Sequence, residues 1–260
     1  MSATPLRIQV GELARRSVMQ TLRQPLLIVP PIAFPLMLVA VNASGLQAAT
    51  DLPGFPTDNY VDFAIAVAFI QGALFAMINA GSSLARDVET GFLRRLAMTP
   101  MQRPALLIGH LSGVLLVALV SSLVYLAVGS VSGMHMAAGA GGVLGLLALA
   151  MLIALGFAAL GALVGLRSGS AEAVQGFFPL FFVLLFLSSS SLPRPLIEHE
   201  WFRTIATYNP ISYLIEGIRS FIIDGWDGEA LALGFGFAIA IAVLALAGAS
   251  QALRTRLVRT

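Results

Sequence analysis

Long stretches without a charged residue dominate this sequence and set the main limit on its fold. Five intervals free of Asp, Glu, Lys and Arg run for 27, 23, 63, 21 and 24 residues. A helix crosses the hydrocarbon core of a bilayer with about 20 apolar residues, so each interval is long enough to span a membrane. Only 11% of the 260 residues are charged, compared with about 25% in soluble domains. The sequence therefore predicts an integral membrane protein.

The interval of 63 residues is too long for one span. Gly and Ser cluster at its middle, in residues 129–142 (GSVSGMHMAAGAGG), where a turn is expected. Lipid offers the backbone no hydrogen-bond partners, so each span is predicted to be an α-helix. We therefore predict an all-α integral membrane fold, a single transmembrane domain over 1–260. Its six helices are expected near 26–47, 61–85, 104–130, 140–166, 172–192 and 231–253.

The distribution of arginine predicts the orientation of these spans. If both termini lie in the cytoplasm, 12 of the 15 arginines face the cytoplasm, and only Arg194, Arg203 and Arg219 face outward. Cytoplasmic loops of membrane proteins carry an excess of basic residues. A multi-pass protein with both termini in the cytoplasm is expected.

Residues 6–24 (LRIQVGELARRSVMQTLRQ) have an amphipathic pattern. Apolar side chains recur at helical spacing, and Arg and Glu occupy the other side. This pattern favours a helix that lies in the cytoplasmic interface, with its arginines near anionic lipid headgroups. The alternative is a plain charged tail.

Two further segments are too charged to span the membrane and too apolar to be simple loops. Residues 86–100 place Phe92, Leu93 and Leu96 beside several charges, which is typical of a short helix that docks on another protein. Residues 193–229 are expected to lie outside and to form a re-entrant helical hairpin broken at Asn209-Pro210.

The residue types that are missing exclude several activities. All 15 basic residues are Arg, and a Walker A loop requires Lys, so this chain is not expected to hold ATP itself. There is no Cys, and His110, His135 and His199 lie far apart in the sequence. Neither a metal site nor an enzymatic activity is therefore expected. A membrane-embedded enzyme would need clustered carboxylates or histidines, and none is evident.

Two motifs resemble those of ABC-2 type exporter permeases of the daunorubicin-resistance kind. Residues 86–96 (RDVETGFLRRL), followed by TP at 99–100, resemble the family loop R-E-x-E-x-G-T-L-x-x-L…T-P, with Phe92 where Thr is usual. Residues 192–193 (LP), 208–213 (YNPISY) and 216–219 (EGIR) resemble the segment L-P…N-P-x-[ST]-[YH]-x-x-[DE]-x-x-R. With the six spans in order, the resemblance covers nearly the whole chain.

The resemblance implies a permease subunit of an ATP-driven exporter in the bacterial cytoplasmic membrane. Its substrate would be a hydrophobic drug, a lipid or a lipid-linked glycan. The implied partners are a separate ATPase subunit that binds ATP and Mg²⁺, a second permease copy or a sister permease, and membrane lipids, with no nucleic acid. The 86–100 segment would be the coupling helix, and for Arg94 and Arg95 lipid headgroups are an alternative partner. The implied coupling residues are Asp87, Glu89, Gly91, Phe92, Leu93, Arg94, Arg95, Leu96 and Pro100.

Candidate residues for a substrate path lie in the second and fifth predicted spans. Phe178, Phe182 and Phe186 recur every four residues on one helix face, and they suit either a wall for an apolar substrate or ordinary packing. Gln71 and Asn79 also share a face, where they either bond neighbouring helices or line a path. The full set of candidates is Gln71, Phe75, Asn79, Gln175, Phe178, Phe182 and Phe186.

The external gate is expected to contain Asn209, Pro210, Glu216 and Arg219. Glu216 and Arg219 are three residues apart on a short helix and could pair. Apart from Asp62 and Glu172 at their N-terminal ends, the predicted spans contain no charge, which argues against the alternative of a secondary transporter or passive channel.

Overall fold

The computed structural model describes residues 6–24, 27–97 and 103–258. This part of the chain is helical, and no strand occurs in it. The α-helices are α1 Leu6–Leu22, α2 Val29–Leu46, α3 Tyr60–Glu89, α4 Phe92–Ala97, α5 Arg103–Val131, α6 Gly139–Ser168, α7 Ala171–Gly176, α8 Phe178–Phe186, α9 Glu200–Tyr208, α10 Pro210–Arg219 and α11 Gly228–Val258.

Five of these helices are long and apolar enough to cross a membrane. They are α2, which continues in a 3₁₀ turn to Asp51, and α3, α5, α6 and α11. The protein is therefore an all-helical, multi-pass membrane protein. Helix α3 lies at the centre, since 78% of its most apolar stretch is buried, compared with 17% for α2 and 22% for α11.

The predicted span at 172–192 is not one helix. It consists of α7 and α8, and the apolar helical segment ends at Phe186. Pro179 explains the break, because it has no N–H to bond the carbonyl of Gln175 and disfavours helical backbone at the residue before it. The helical segment is therefore shorter than the sequence predicted, and residues 187–190 form turns.

Helices α3 and α6 pack with their backbones in contact. A Cβ atom at Gly161 would lie 1.9 Å from the carbonyl oxygen of Met77, and one at Gly165 would lie 2.3 Å from that of Gly81. No side chain fits between the helices at these positions. Glycine therefore sets the distance between the central helix and its main neighbour.

Helix α1 is docked on the first half of α5. A Cβ atom at Gly109 would lie 2.3 Å from Cβ of Leu13, and one at Gly113 would lie 2.4 Å from Oγ of Ser17. That Ser17 hydroxyl donates a hydrogen bond to the carbonyl of His110, at 3.0 Å. The close approach joins α1 to α5 as one packed unit.

Candidate functional site

The segment predicted to couple to a partner is divided between two helices. Helix α3 continues through Asp87 to Glu89, and α4 begins at Phe92. Between them Gly91 adopts a left-handed backbone with φ of 67°, which glycine tolerates and which commonly ends a helix. Pro100 lies outside the described residues.

Leu93 is a core residue of this chain. Its side chain is 7% exposed and belongs to a buried cluster that includes Leu84, Leu107 and Leu253. The hypothesis that Leu93 anchors a partner protein is therefore revised. An apolar residue on a six-residue helix has the same pattern whether it faces its own core or a partner, so the sequence could not separate the two cases.

Phe92 is half-buried and contacts α1. The guanidinium of Arg16 lies over its ring, 4.1 Å from the ring centroid, in a cation–π contact. At the same corner, three charged residues are exposed: Arg86, Glu89 and Arg95. Arg94 and Leu96 belong to α4, and only their backbones are described.

The candidate path residues form a cluster of phenylalanines where α2, α3 and α8 meet. Ring centroids are 6.0 Å apart for Phe75 and Phe178, and 5.2 Å apart both for Phe178 with Phe182 and for Phe182 with Phe186. Phe34 of α2 completes the cluster, 6.0 Å from Phe75 and 6.1 Å from Phe182. No sequence pattern singles out Phe34, since its contacts are with residues of distant helices.

This cluster lies at the surface of the chain. Phe34, Phe75, Phe178 and Phe182 are half-buried, and Phe186 is 57% exposed. We call these five residues the phenylalanine cluster. Its exposed face leaves aromatic rings available to lipid, to another subunit or to a bound molecule.

The three polar candidates have different positions. Gln71 is 4% exposed, and its Oε1 has no hydrogen-bond partner among the described residues. Gln175, by contrast, is exposed on α7. The amide Nδ2 of Asn79 lies 3.5 Å from the carbonyl oxygen of Leu27, close to the start of α2, so Asn79 bonds a neighbouring helix.

Prolines in α2 explain why side chains of other helices bond the carbonyls of Leu27 and Pro31. Pro31 and Pro35 have no N–H, so the carbonyls four residues before them, at Leu27 and Pro31, lack helical donors. Asn79 bonds the first carbonyl, and the buried hydroxyl of Tyr125 on α5 donates to the second. Two side chains thus replace the backbone bonds that proline removes.

The external motif forms a polar stripe along one face of α10. Asn209, Ser212, Glu216 and Arg219 follow the helical repeat. The side chain of Asn209 caps α10 by accepting from the N–H of Ile211 at 3.0 Å, ahead of Pro210 in the first turn. Sequence reasoning missed Ser212, although its spacing from Asn209 is a usable signal.

The first half of this stripe bonds the C-terminal end of α8 and the turn that follows it. Asn209 Nδ2 donates to the carbonyl oxygens of Leu184 at 2.6 Å and Leu187 at 3.1 Å. The hydroxyl of Ser212 accepts from the N–H of Ser189 at 3.1 Å. These bonds satisfy backbone groups that a helix leaves free where it ends.

Arg219 is 5% exposed and bonds three carbonyls. Its Nε donates to Phe63 at 3.0 Å, its Nη1 to Ser189 at 2.6 Å and its Nη2 to Ser190 at 2.8 Å. Its guanidinium carbon also lies 3.3 Å from the ring centroid of Phe63. Arg219 therefore joins the start of α3 to the turn after α8.

The hypothesis that Glu216 pairs with Arg219 is wrong. Glu216 forms an ion pair with Arg194, whose guanidinium lies 4.7 Å from the ring centroid of Tyr213. Spacing on one helix could not reveal that both residues bond other segments. Burial lowers the pKa of Arg219 to about 9, with the charges of Glu216 and Asp224 acting the other way. At neutral pH the guanidinium therefore stays protonated.

These features define the class of the protein. Four long apolar helices around the buried helix α3, with a surface aromatic cluster and a polar stripe on α10, make an all-helical membrane protein. Comparison with known sequences gives the family, since a sequence model of the ABC-2 type transporter matches residues 8–223. The chain belongs to the ABC-2 type transporter family and is an ABC transporter membrane subunit.

One curated relative is the daunorubicin resistance ABC transporter permease protein DrrB1 of Streptomyces coeruleorubidus. It is 26% identical to this chain over 168 residues, which cover 64% of this chain and 59% of the relative. The match therefore spans less than two thirds of the relative's own length.

Proposed function

We propose that this chain is the permease subunit of an ATP-driven exporter in the bacterial cytoplasmic membrane. Its substrate is a hydrophobic drug, a lipid or a lipid-linked glycan, taken from the cytoplasm or the inner leaflet. The phenylalanine cluster carries this proposal, because exposed aromatic faces suit bulky apolar molecules. The similarity to a daunorubicin resistance permease makes an aromatic drug the first substrate to test. Membership of an ABC transporter family disfavours a passive channel or a secondary transporter.

The proposed topology has six crossings, with α7 and α8 forming the fifth. These two helices cover residues 171–186, or roughly 24 Å at about 1.5 Å per residue. That length crosses most of a hydrocarbon core of about 30 Å. With both termini in the cytoplasm, α1 lies in the inner interface and α9 and α10 form a re-entrant hairpin outside.

The proposed partners are an ATPase subunit that binds ATP and Mg²⁺, and a second permease, either identical or a sister chain. The exposed charges of Glu89 and Arg95 are the surface offered to the ATPase. Since α4 contacts α1 through Phe92 and Arg16, movement of the ATPase would reach α1 and α5 together.

Loss of one ring from the phenylalanine cluster is expected to weaken drug binding. Phe182 contacts three other rings of the cluster, and an aromatic pair contributes about 0.5–1.5 kcal/mol. Phe182→Ala should therefore bind daunorubicin about tenfold more weakly, as measured by quenching of daunorubicin fluorescence with the purified chain. The control is Phe202→Ala, which removes a half-buried ring on α9. Equal affinity of both variants and wild type would exclude the cluster as a drug site.

A charge exchange at the corner of α3 and α4 is expected to release the ATPase subunit. Glu89→Arg combined with Arg95→Glu keeps the net charge but reverses the pattern presented to a partner. Purification from native membranes should recover the ATPase subunit at least tenfold less well than wild type. The matched control is Glu200→Arg with Arg203→Glu, an exposed pair on α9. Unchanged recovery with the Glu89 and Arg95 exchange would contradict this docking surface.

A further inference from the structure

A cavity of about 250 Å³ lies between α1, α3, α4 and α5. Arg16, Arg86 and Asp87 lie in its wall near the C-terminal end of α3, and the wall beside Asn79, eight residues back along α3, includes the apolar Val114 and Val117. The cavity thus combines basic and apolar side chains in one wall, as a site for an amphiphile would.

The charged end of the cavity favours an anion. Arg16 and Arg86 supply two guanidinium groups against the one carboxylate of Asp87, which interacts electrostatically with both and with His110. Neither guanidinium donates a hydrogen bond or forms an ion pair within the described part of the chain. Their donors are therefore free to bind a phosphate, which guanidinium groups match in geometry.

His110 does not change the balance of two guanidinium groups against one carboxylate. Its Nε2 lies 3.1 Å from both the hydroxyl of Ser83 and the carbonyl oxygen of Ala80, so that nitrogen is engaged within the chain. The hydroxyl of Ser83 is in turn bonded to the carbonyl of Asn79 at 2.7 Å. The polar groups around His110 are thus bonded within the chain, whereas Arg16 stacks on the ring of Phe92 and, among the described residues, keeps its N–H donors unused.

The length of the cavity matches one leaflet. Its wall follows α3 from Asp87 to Asn79, eight residues or roughly 12 Å at about 1.5 Å per residue. Half of a hydrocarbon core of about 30 Å is about 15 Å. In the proposed orientation, the charged end then lies at the inner headgroup level and the apolar end points toward the bilayer centre.

The volume of the cavity favours part of a lipid over a whole drug. Sites for drug-sized ligands usually measure about 300–1,000 Å³, and this cavity is smaller. A phospholipid could place its phosphate between the arginines and part of one acyl chain in the cavity, with the rest in the bilayer.

We infer that this cavity binds an anionic phospholipid of the inner leaflet, with the phosphate held by Arg16 and Arg86 and an acyl chain against Val114. The bound lipid holds α1 against α3 and α5. The site is separate from the phenylalanine cluster and requires the proposed orientation, but it does not depend on which substrate is exported.

The test is lipid retention by the full chain in nanodiscs of equal phosphatidylglycerol and phosphatidylcholine, read by native mass spectrometry. Wild type should retain one phosphatidylglycerol per chain. Arg16→Gln with Arg86→Gln should weaken that retention about 30-fold, since each basic residue at an anionic surface is worth about fivefold. The matched control, Arg95→Gln with Arg167→Gln, removes two cytoplasmic arginines outside the cavity and should retain the lipid.

Equal retention by both double variants, or equal retention of phosphatidylcholine, would overturn the inference. Val114→Phe tests the apolar end, because the larger side chain would fill it, and full retention by this variant would also overturn the inference. Displacement of the lipid by inorganic phosphate alone would show a simple anion site and contradict the role of the acyl chain. None of these measurements uses the ATPase or a drug, so they can fail while the proposed export function stands.

Discussion

Arg219→Leu is expected to prevent the chain from accumulating as a folded protein. The change leaves the carbonyls of Phe63, Ser189 and Ser190 without the donors that Arg219 supplies. Hydrogen bonds to charged groups are worth about 1.5–3 kcal/mol each, and a buried unpaired carbonyl costs a similar amount. A loss on the order of 5 kcal/mol is comparable to the whole stability of many proteins.

Removal of the charge offsets only part of this loss. Burying a leucine avoids the free-energy cost of removing the charged guanidinium from water. Buried ion pairs can often be exchanged for apolar residues at little cost. Here the partners of the charge are backbone carbonyls, which remain after the substitution. The cost of leaving them unpaired therefore persists, whatever apolar side chain replaces Arg219.

Two further variants make the Arg219 experiment specific. Arg219→Lys keeps the charge but cannot direct donors at three carbonyls at once, so its stability should fall between wild type and Arg219→Leu. Arg203→Leu removes an exposed external arginine with one weak contact to Glu200, at 3.8 Å, and should be near neutral. Yield and unfolding temperature in mild detergent are the measurements. Wild-type values for Arg219→Leu would show that the three bonds contribute little.

The polar stripe on α10 is also connected to the phenylalanine cluster. Asn209, Ser212 and Arg219 hold the end of α8, the helix that carries Phe178, Phe182 and Phe186. The external motif and the phenylalanine cluster are thus joined through one short helix. A substitution in the polar stripe is therefore expected to move α8 and with it the rings of the phenylalanine cluster.

Long helices could be predicted from the sequence because lipid permits few alternatives. A charge-free interval of sufficient length must form a helix, and α3, α5, α6 and α11 lie close to four of the predicted spans. The interruption at Pro179 was missed, although the residue that causes it is visible. The length of a charge-free interval does not show which of its positions can donate a backbone hydrogen bond.

The partners of individual side chains could not be predicted in the same way. Tyr125 donates a hydrogen bond to the carbonyl of Pro31, and Arg194 forms an ion pair with Glu216. Both partners are distant in the sequence. Such contacts depend on how helices are arranged, and periodicity within one helix carries no information about its neighbours. A proline inside a helix does predict that a carbonyl needs a donor, but not which residue supplies it.

Gly161→Ala is expected to separate the two central helices. The added Cβ would lie 1.9 Å from the carbonyl oxygen of Met77 and 3.0 Å from its Cα, and both are backbone atoms that cannot rotate away. Helix α3 is also the most buried of the five long helices, so its displacement disturbs contacts on every side. Overpacking in a rigid core costs about 1–3 kcal/mol and sometimes more. We expect the upper end, measured as a lower unfolding temperature and a lower yield.

Gly236→Ala is the matched control for this prediction. A Cβ at Gly236 has no neighbour within 4 Å, and alanine is favoured over glycine inside a helix by about 1 kcal/mol. The same substitution should therefore be neutral or stabilising on α11 and strongly destabilising on α6. An unchanged unfolding temperature for Gly161→Ala would contradict the backbone contact. Lipid supplies no hydrophobic force between helices, so helices α3 and α6 are held together by close packing. The backbone contact at Gly161 is part of that packing.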